Sequence, residues 1–115
     1  MKKTIILLLG VFLISSCNNS SSNKNNRVKS IDKWYVGGTL HKSNISEWKT
    51  STDRNKLATC GDFIVKFVDK NTSLDVIKRK AENLKTCIDE ATVSDVVNNK
   101  QVSKIASLCT VLLNY

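Results

Sequence analysis

Cysteine and histidine side chains carry most of the reactive chemistry that this sequence offers. Four cysteines occur in its 115 residues, Cys17, Cys60, Cys87 and Cys109, and the single histidine is His41. A cysteine can accept a lipid, form a disulfide, bind a metal ion or act as a nucleophile. The role of each cysteine depends on the cellular compartment of the protein and on the secondary-structure element in which the cysteine lies.

Cys17 ends a segment that is typical of an export signal. Two lysines precede an apolar run over residues 5–14, and two serines separate that run from the cysteine. Positive charge, a short apolar stretch and small residues, in this order, are the pattern of a secretory signal peptide. The run is far shorter than the roughly 20 apolar residues of a transmembrane helix. We therefore predict that residues 1–16 are cleaved.

The segment Ile14-Ser15-Ser16-Cys17 resembles the lipobox of bacterial lipoproteins, in which the cysteine is lipidated and becomes the new N-terminus. The resemblance implies lipidation of Cys17 and stable attachment to a membrane, since each buried methylene contributes about 0.8 kcal/mol. Asn18 and Asn19 stand where an aspartate marks inner-membrane retention in enteric bacteria. The resemblance thus implies an outer-membrane protein that faces the periplasm.

The mature chain is expected to consist of a tether and one domain. Residues 17–33 are rich in Asn, Ser and Lys and contain no aromatic residue, which predicts a flexible polar tether. Residues 34–115 are expected to form a single small domain. After removal of Lys2 and Lys3 the chain has 16 basic and 10 acidic residues, a net charge of +6. This charge attracts anionic lipids, and export disfavours nucleic acid as a partner.

The spacing of apolar residues predicts an all-α fold, a small bundle of three main helices. These helices are expected at residues 45–69, 74–91 and 102–113. Asn44 and Glu47 have the spacing of a capping box at the start of the first helix, which we expect to bend near Gly61. Residues 31–41, which include two glycines, predict a short extended segment broken by a turn.

Cys60, Cys87 and Cys109 fall on the apolar stripes of three different helices, and one disulfide would stabilise an exported domain by about 2–4 kcal/mol. In an up-down-up bundle, a rise of about 1.5 Å per residue puts Cys60 and Cys109 at nearly the same height. Cys87 is then roughly 6–8 Å higher in the bundle than Cys60 and Cys109. The Cα atoms of two disulfide-bonded cysteines are at most about 7 Å apart. This favours a Cys60–Cys109 disulfide and a buried free thiol at Cys87. A Cys87–Cys109 disulfide and three reduced thiols are the alternatives.

The same residues do not make a convincing metal site or catalytic site. Zinc ligands usually come in pairs two to four residues apart, whereas these cysteines lie 27 and 22 residues apart and His41 lies 19 residues before Cys60. The sequence has no Gly-x-Ser-x-Gly motif and no phosphate-binding loop. We therefore predict a protein that is not an enzyme and that uses no metal, cofactor or small-molecule substrate.

Two resemblances bear on function. Cys60-Gly61-Asp62-Phe63 begins an apolar half-helix and Cys109 follows 49 residues after Cys60, which resembles the periplasmic acid-stress chaperones of the HdeA and HdeB type. Those are small helical proteins held by one disulfide of similar span. Residues 34–41, with Trp48 and residues 55–59, are similar to segments of small bacterial proteins of no assigned activity, some of them lipoprotein-like.

Three roles fit these features. The role that we favour is a lipid-anchored envelope protein with a structural or protein-interaction function. It would present the aromatic side chains of Trp34, Tyr35 and Trp48 to an envelope partner. The second is an exclusion lipoprotein of a phage or plasmid, which blocks the entry of other DNA at the envelope. The third is a chaperone of the HdeA type, which binds clients at low pH.

Overall fold

Helices and their connections make up the part of the chain that the structure describes. The structure is a computed structural model, and it describes residues 33–115, which form one compact unit. The helices are α1 (Ile45–Thr50), α2 (Asp53–Ile64), α3 (Leu74–Ala91) and α4 (Val102–Leu112), with a short 3-10 helix at Asp95–Val97. Residues 33–115 contain no β-strand, and the predicted all-α fold is confirmed. The predicted signal peptide, the predicted lipidation site Cys17 and nearly all of the predicted tether lie outside the described residues.

The predicted helix over residues 45–69 is instead two helices, α1 and α2. Ser51 and Thr52 adopt extended backbone conformations between them, and the Thr52 hydroxyl accepts a hydrogen bond from the Asn55 N–H. Serine and threonine compete for backbone hydrogen bonds and so favour helix ends over helix interiors. The helix α2 ends at Ile64, five residues before the predicted end.

The other helix boundaries agree closely with the predicted ones. The Asn44 side chain accepts the Glu47 N–H, and the Glu47 carboxylate accepts the Asn44 N–H, which confirms the capping box. The Ser73 hydroxyl caps α3 by accepting the Val76 N–H. The bounds of α3 are the predicted ones, and α4 ends one residue earlier than predicted.

A single apolar core joins the helices and the segment before α1. Within it α3 packs against both α2 and α4. The core consists of Trp34, Leu40, Ile45, Trp48, Cys60, Ile64, Ala81, Leu84, Ile88, Val102, Ile105, Ala106 and Cys109. Gly38 lets the first segment lie directly on α2, because a Cβ at this position would be 2.6 Å from the Thr59 backbone nitrogen. Only glycine permits so close an approach.

Backbone hydrogen bonds hold the start of α1 against the start of α4. The Ile45 N–H donates to the Lys100 carbonyl at 2.8 Å, and the Val102 N–H donates to the Ser43 carbonyl at 2.9 Å. Lys49 adds a side-chain contact, its Nζ lying 2.8 Å from Asn98 Oδ1. Because these bonds tie the short helix α1 to the last helix, α1 does not depend on its own length for stability.

Candidate functional site

The disulfide joins Cys87 to Cys109, so the predicted pairing Cys60–Cys109 is wrong. The two bonded residues have Cα atoms 6.0 Å apart and connect the neighbouring helices α3 and α4. The prediction failed because it counted residues 65–69 as helix. Residues 65–69 are not helical, and Cys60 lies four residues from the end of α2 rather than nine. Its height in the bundle was therefore misjudged.

Cys60 is the free thiol of the described residues, and it is fully buried. Burial raises the pKa of Cys60 well above its ordinary range, the negative charge of Asp89 raises it further, and the Lys85 ammonium only partly opposes this. Thiolate is the reactive form of cysteine. Cys60 is therefore kept as an inert thiol inside the core and is no candidate nucleophile.

We expect the cysteines of residues 33–115 to resist iodoacetamide in the native protein near neutral pH. Denaturation without reductant should expose one reactive thiol, Cys60, because the other two remain in the disulfide. Peptide mass mapping after alkylation locates the modified residue. A Cys60→Ala variant serves as the control and should show no alkylation in this part of the chain. Alkylation of Cys87 under the same conditions would contradict the pairing.

Trp48 lies in the core, so the prediction that it forms an interaction surface is wrong. Its side chain has no exposed area, and its Nε1–H donates to Asp89 Oδ1 at 2.8 Å. Lys56 Nζ lies 5.6 Å from the Trp48 ring centre and 3.7 Å from Asp89 Oδ1. A buried indole N–H needs an acceptor. Asp89 supplies it from α3, and the pair fixes α1 on α3.

Lys85 is the second basic residue at this carboxylate. Its Nζ donates to Asp89 Oδ2 at 3.1 Å and lies 3.4 Å from Asp53 Oδ1. Partial burial lowers the pKa of Lys85, but the hydrogen bond and charge of Asp89, together with Asp53, outweigh burial and leave the pKa raised. The ammonium form is therefore favoured by folding. Its contribution to stability is complete below the ordinary lysine pKa and is lost as the pH rises through the raised value.

We expect a Lys85→Met variant to lose about 1 kcal/mol of unfolding free energy near neutral pH, where the ammonium is charged. The difference from the wild type should shrink as the pH rises above 10.5, the ordinary pKa of lysine. Urea unfolding at a series of pH values measures this difference. Lys78→Met changes a lysine of the same helix outside this group and should show a smaller difference. A Lys85→Met difference that does not vary with pH would be at odds with this account.

Trp34 and Tyr35, the other two predicted surface residues, lie at one end of α2. Trp34 is only 6% exposed, and its ring lies over Gly61, where a Cβ would be 2.8 Å from the ring. Its prediction as an exposed residue is therefore wrong as well. Tyr35 packs edge-on against the Trp34 ring, with the ring centres 5.6 Å apart, and is 38% exposed. Only Tyr35 of the three aromatic residues presents a large part of its side chain to solvent.

These two aromatic side chains line a shallow cavity of about 130 Å³, which we call the aromatic cleft. The lining residues are Trp34, Tyr35, Gly61, Asp62, Val65, Leu74 and Ile77. Val65 and Leu74 are each about half exposed, so the walls of the cleft are apolar and accessible. The cleft brings together the first described segment, the end of α2 and the start of α3. Sequence spacing gave no signal for this, because the three segments are distant along the chain.

His41 and Asp62 form the closest approach to a catalytic pair within the described residues. His41 Nε2 lies 2.7 Å from Asp62 Oδ2, and the His41 ring packs edge-on against Phe63. Such a pair activates a nucleophile only when a hydroxyl or thiol is hydrogen-bonded to the histidine. Over residues 33–115 no hydroxyl or thiol occupies that position. The pair therefore fastens the first segment to α2 and steadies one side of the cleft.

Two further features of the described residues bear on metal binding and on membrane insertion. Among residues 33–115 no group of three His, Cys, Asp or Glu side chains is placed to hold a metal ion. None of the helices in this part of the chain combines the length and the apolar character that crossing a bilayer requires. No protein family, curated protein or solved structure matches the chain.

The helix α4 has a second apolar surface that the sequence analysis missed. A groove of about 160 Å³ separates the end of α2 from α4. Its lining residues are Phe63, Lys66, Phe67, Ser103, Ala106, Ser107 and Thr110. Further around the helix, Leu108, Val111 and Leu112 are exposed. The signal was present in the sequence, because α4 carries more apolar residues than one buried face can use.

Proposed function

We propose that this chain is a lipid-anchored, non-enzymatic protein of the bacterial cell envelope whose helical domain binds a protein partner through the aromatic cleft. The anchor is supported by the lipobox-like segment Ile14-Ser15-Ser16-Cys17 behind a short apolar run. Lipidation of Cys17 would hold the domain at the outer membrane, facing the periplasm. Residues 18–32 would form the polar connection between lipid and domain.

The observation that carries the binding role is the aromatic cleft itself. Tyr35, Val65 and Leu74 leave apolar surface exposed around a concavity, whereas Trp34 and Trp48 are buried in the neighbouring core. Small-molecule sites usually enclose about 300–1,000 Å³. A cavity of about 130 Å³ is better suited to one apolar side chain of a protein partner. Tyrosine is also among the residue types that contribute most to protein interfaces.

The cleft is held in shape before any partner binds. Trp34 is fixed against Gly61, and the His41–Asp62 contact holds the first segment on α2. A surface that is ordered in advance loses less conformational entropy on binding. This supports an interaction module rather than an enzyme, since its polar groups are used to position the walls.

A chaperone role of the HdeA type gains no support from the described residues. The resemblance depended on Cys60 and Cys109, which are 49 residues apart, whereas the disulfide spans 22 residues from Cys87 to Cys109. Neither this role nor that of an exclusion lipoprotein is favoured by a specific contact or surface.

Site-specific photocrosslinking in growing cells tests the binding role. We expect a photoreactive residue at position 35 to capture the same envelope protein in every replicate. The control position is Val93, which is exposed and lies outside the cleft. A Leu74→Ser change in the cleft should weaken the crosslink, since it removes accessible apolar surface without opening the core. Equal crosslinking from positions 35 and 93, or none from either, would refute the role of the cleft.

A further inference from the structure

The exposed side chains of α4 form a continuous apolar strip. Leu108 is 59% exposed, Val111 73% and Leu112 74%, and their spacing of three and four residues puts them on one side of the helix. We call these three residues the α4 face. It shares no residue with the aromatic cleft or with the groove beside α2. An apolar strip of this kind on a small domain usually marks a contact surface.

The charged side chains of the α4 segment itself are all basic. Residues 96–115 contain no aspartate or glutamate, and Lys104 is exposed one turn before Leu108 on the same side of α4. At the other end of the helix, Lys80 Nζ lies 4.0 Å from the centre of the Tyr115 ring. An apolar strip flanked by lysines fits an anionic lipid surface, where leucine and valine enter the acyl boundary and lysine meets the headgroups. A second copy of the chain would bring like charges together.

From this combination we infer that the α4 face rests on an anionic membrane surface. The inference rests on the proposed function, because lipidated Cys17 would hold the domain at that surface. Residues 18–32 can span at most about 50 Å, which is enough for a domain of this size to turn any side toward the bilayer. Tethering also makes docking an intramolecular event, so three apolar side chains and a few lysines suffice where free association would be weak.

Tryptophan fluorescence in vesicles tests the orientation. The full lipidated chain, purified from membranes, is reconstituted into phosphatidylcholine vesicles that contain phosphatidylglycerol and brominated acyl chains. The reporter variant is Val111→Trp, and the matched control is Val96→Trp, at an 80% exposed position in the 3-10 helix. Wild-type emission, from the buried Trp34 and Trp48, is subtracted. Intact mass spectrometry of each sample establishes whether Cys17 carries lipid.

We expect bromine to quench the position-111 reporter about threefold more than the position-96 reporter. High salt, or vesicles without the anionic lipid, should reduce the difference. Equal quenching in a sample with lipidated Cys17 overturns the docking of the α4 face and leaves the proposed function standing. A blue-shifted position-111 emission without quenching also overturns it, in favour of contact with another copy. A chain that carries no lipid at Cys17 overturns the proposed function. Quenching of the position-111 and position-96 reporters, when that chain is added to vesicles, still decides whether the α4 face contacts the membrane.

Discussion

Reduction of the Cys87–Cys109 disulfide is expected to lower the free energy of unfolding by about 3 kcal/mol. The bond closes a loop of 22 residues, and opening it returns conformational freedom to the unfolded chain. A domain of this size typically unfolds with only about 4–12 kcal/mol, so the loss is a large share of the total. Urea unfolding of the full chain, with and without reductant, measures it.

Two variants separate the disulfide from the free thiol. The double change Cys87→Ala with Cys109→Ala should match the reduced wild type and should not respond to reductant. Cys60→Ala should respond to reductant as the wild type does, although we expect its stability to be lower because a buried side chain is shortened. Loss of the reductant effect in Cys60→Ala would instead indicate that Cys60 belongs to the bond.

Replacement of Trp48 by alanine is expected to cost about 3–5 kcal/mol, the largest effect of any single change considered for this chain. The side chain is the largest of those that are fully buried, and its indole N–H is hydrogen-bonded to Asp89. Alanine therefore removes core volume and takes one donor from a partly buried carboxylate. Chemical denaturation monitored by far-UV circular dichroism reports the change without relying on tryptophan emission.

A Trp48→Phe variant separates the loss of packing from the loss of the hydrogen bond to Asp89. Phenylalanine keeps most of the packing but donates no hydrogen bond to Asp89, so we expect a loss of about 1–2 kcal/mol. Tyr35→Ala, at the exposed aromatic residue of the cleft, should cost less than about 1 kcal/mol and serves as the surface control. If Trp48→Ala were no more costly than Tyr35→Ala, the indole would not lie in the core.

The fold was predictable wherever the helical pattern was long and regular. The helix α3 has a clean apolar stripe over residues 74–91, and its predicted bounds agree with the structure. The break at Ser51 and Thr52 was missed because apolar residues on both sides of it keep helical spacing across two caps. The wrong disulfide has a separate source, since the pairing was derived from heights counted along a helix that was continued past Ile64 to residue 69.

The candidate site was less predictable because burial is a property of the whole fold. Trp34 and Trp48 were predicted to be exposed, although large aromatic side chains gain more from burial than from exposure. Their partners are not evident from spacing. Asp89 lies 41 residues after Trp48. The Trp34 ring packs on Gly61, where any larger residue would place its Cβ too close to the ring. Local patterns identified the aromatic residues, and tertiary contacts decided which one stays on the surface.

Intact mass spectrometry of the protein from the membrane fraction, with and without reductant, decides whether Cys17 carries a lipid anchor and whether two cysteines are bonded. We expect a chain that begins at Cys17, carries the added mass of a diacylglycerol and further acyl chains, and gains the mass of two hydrogens when Cys87–Cys109 is reduced. A chain that still begins at Met1, or that has no lipid mass at Cys17, would contradict this expectation.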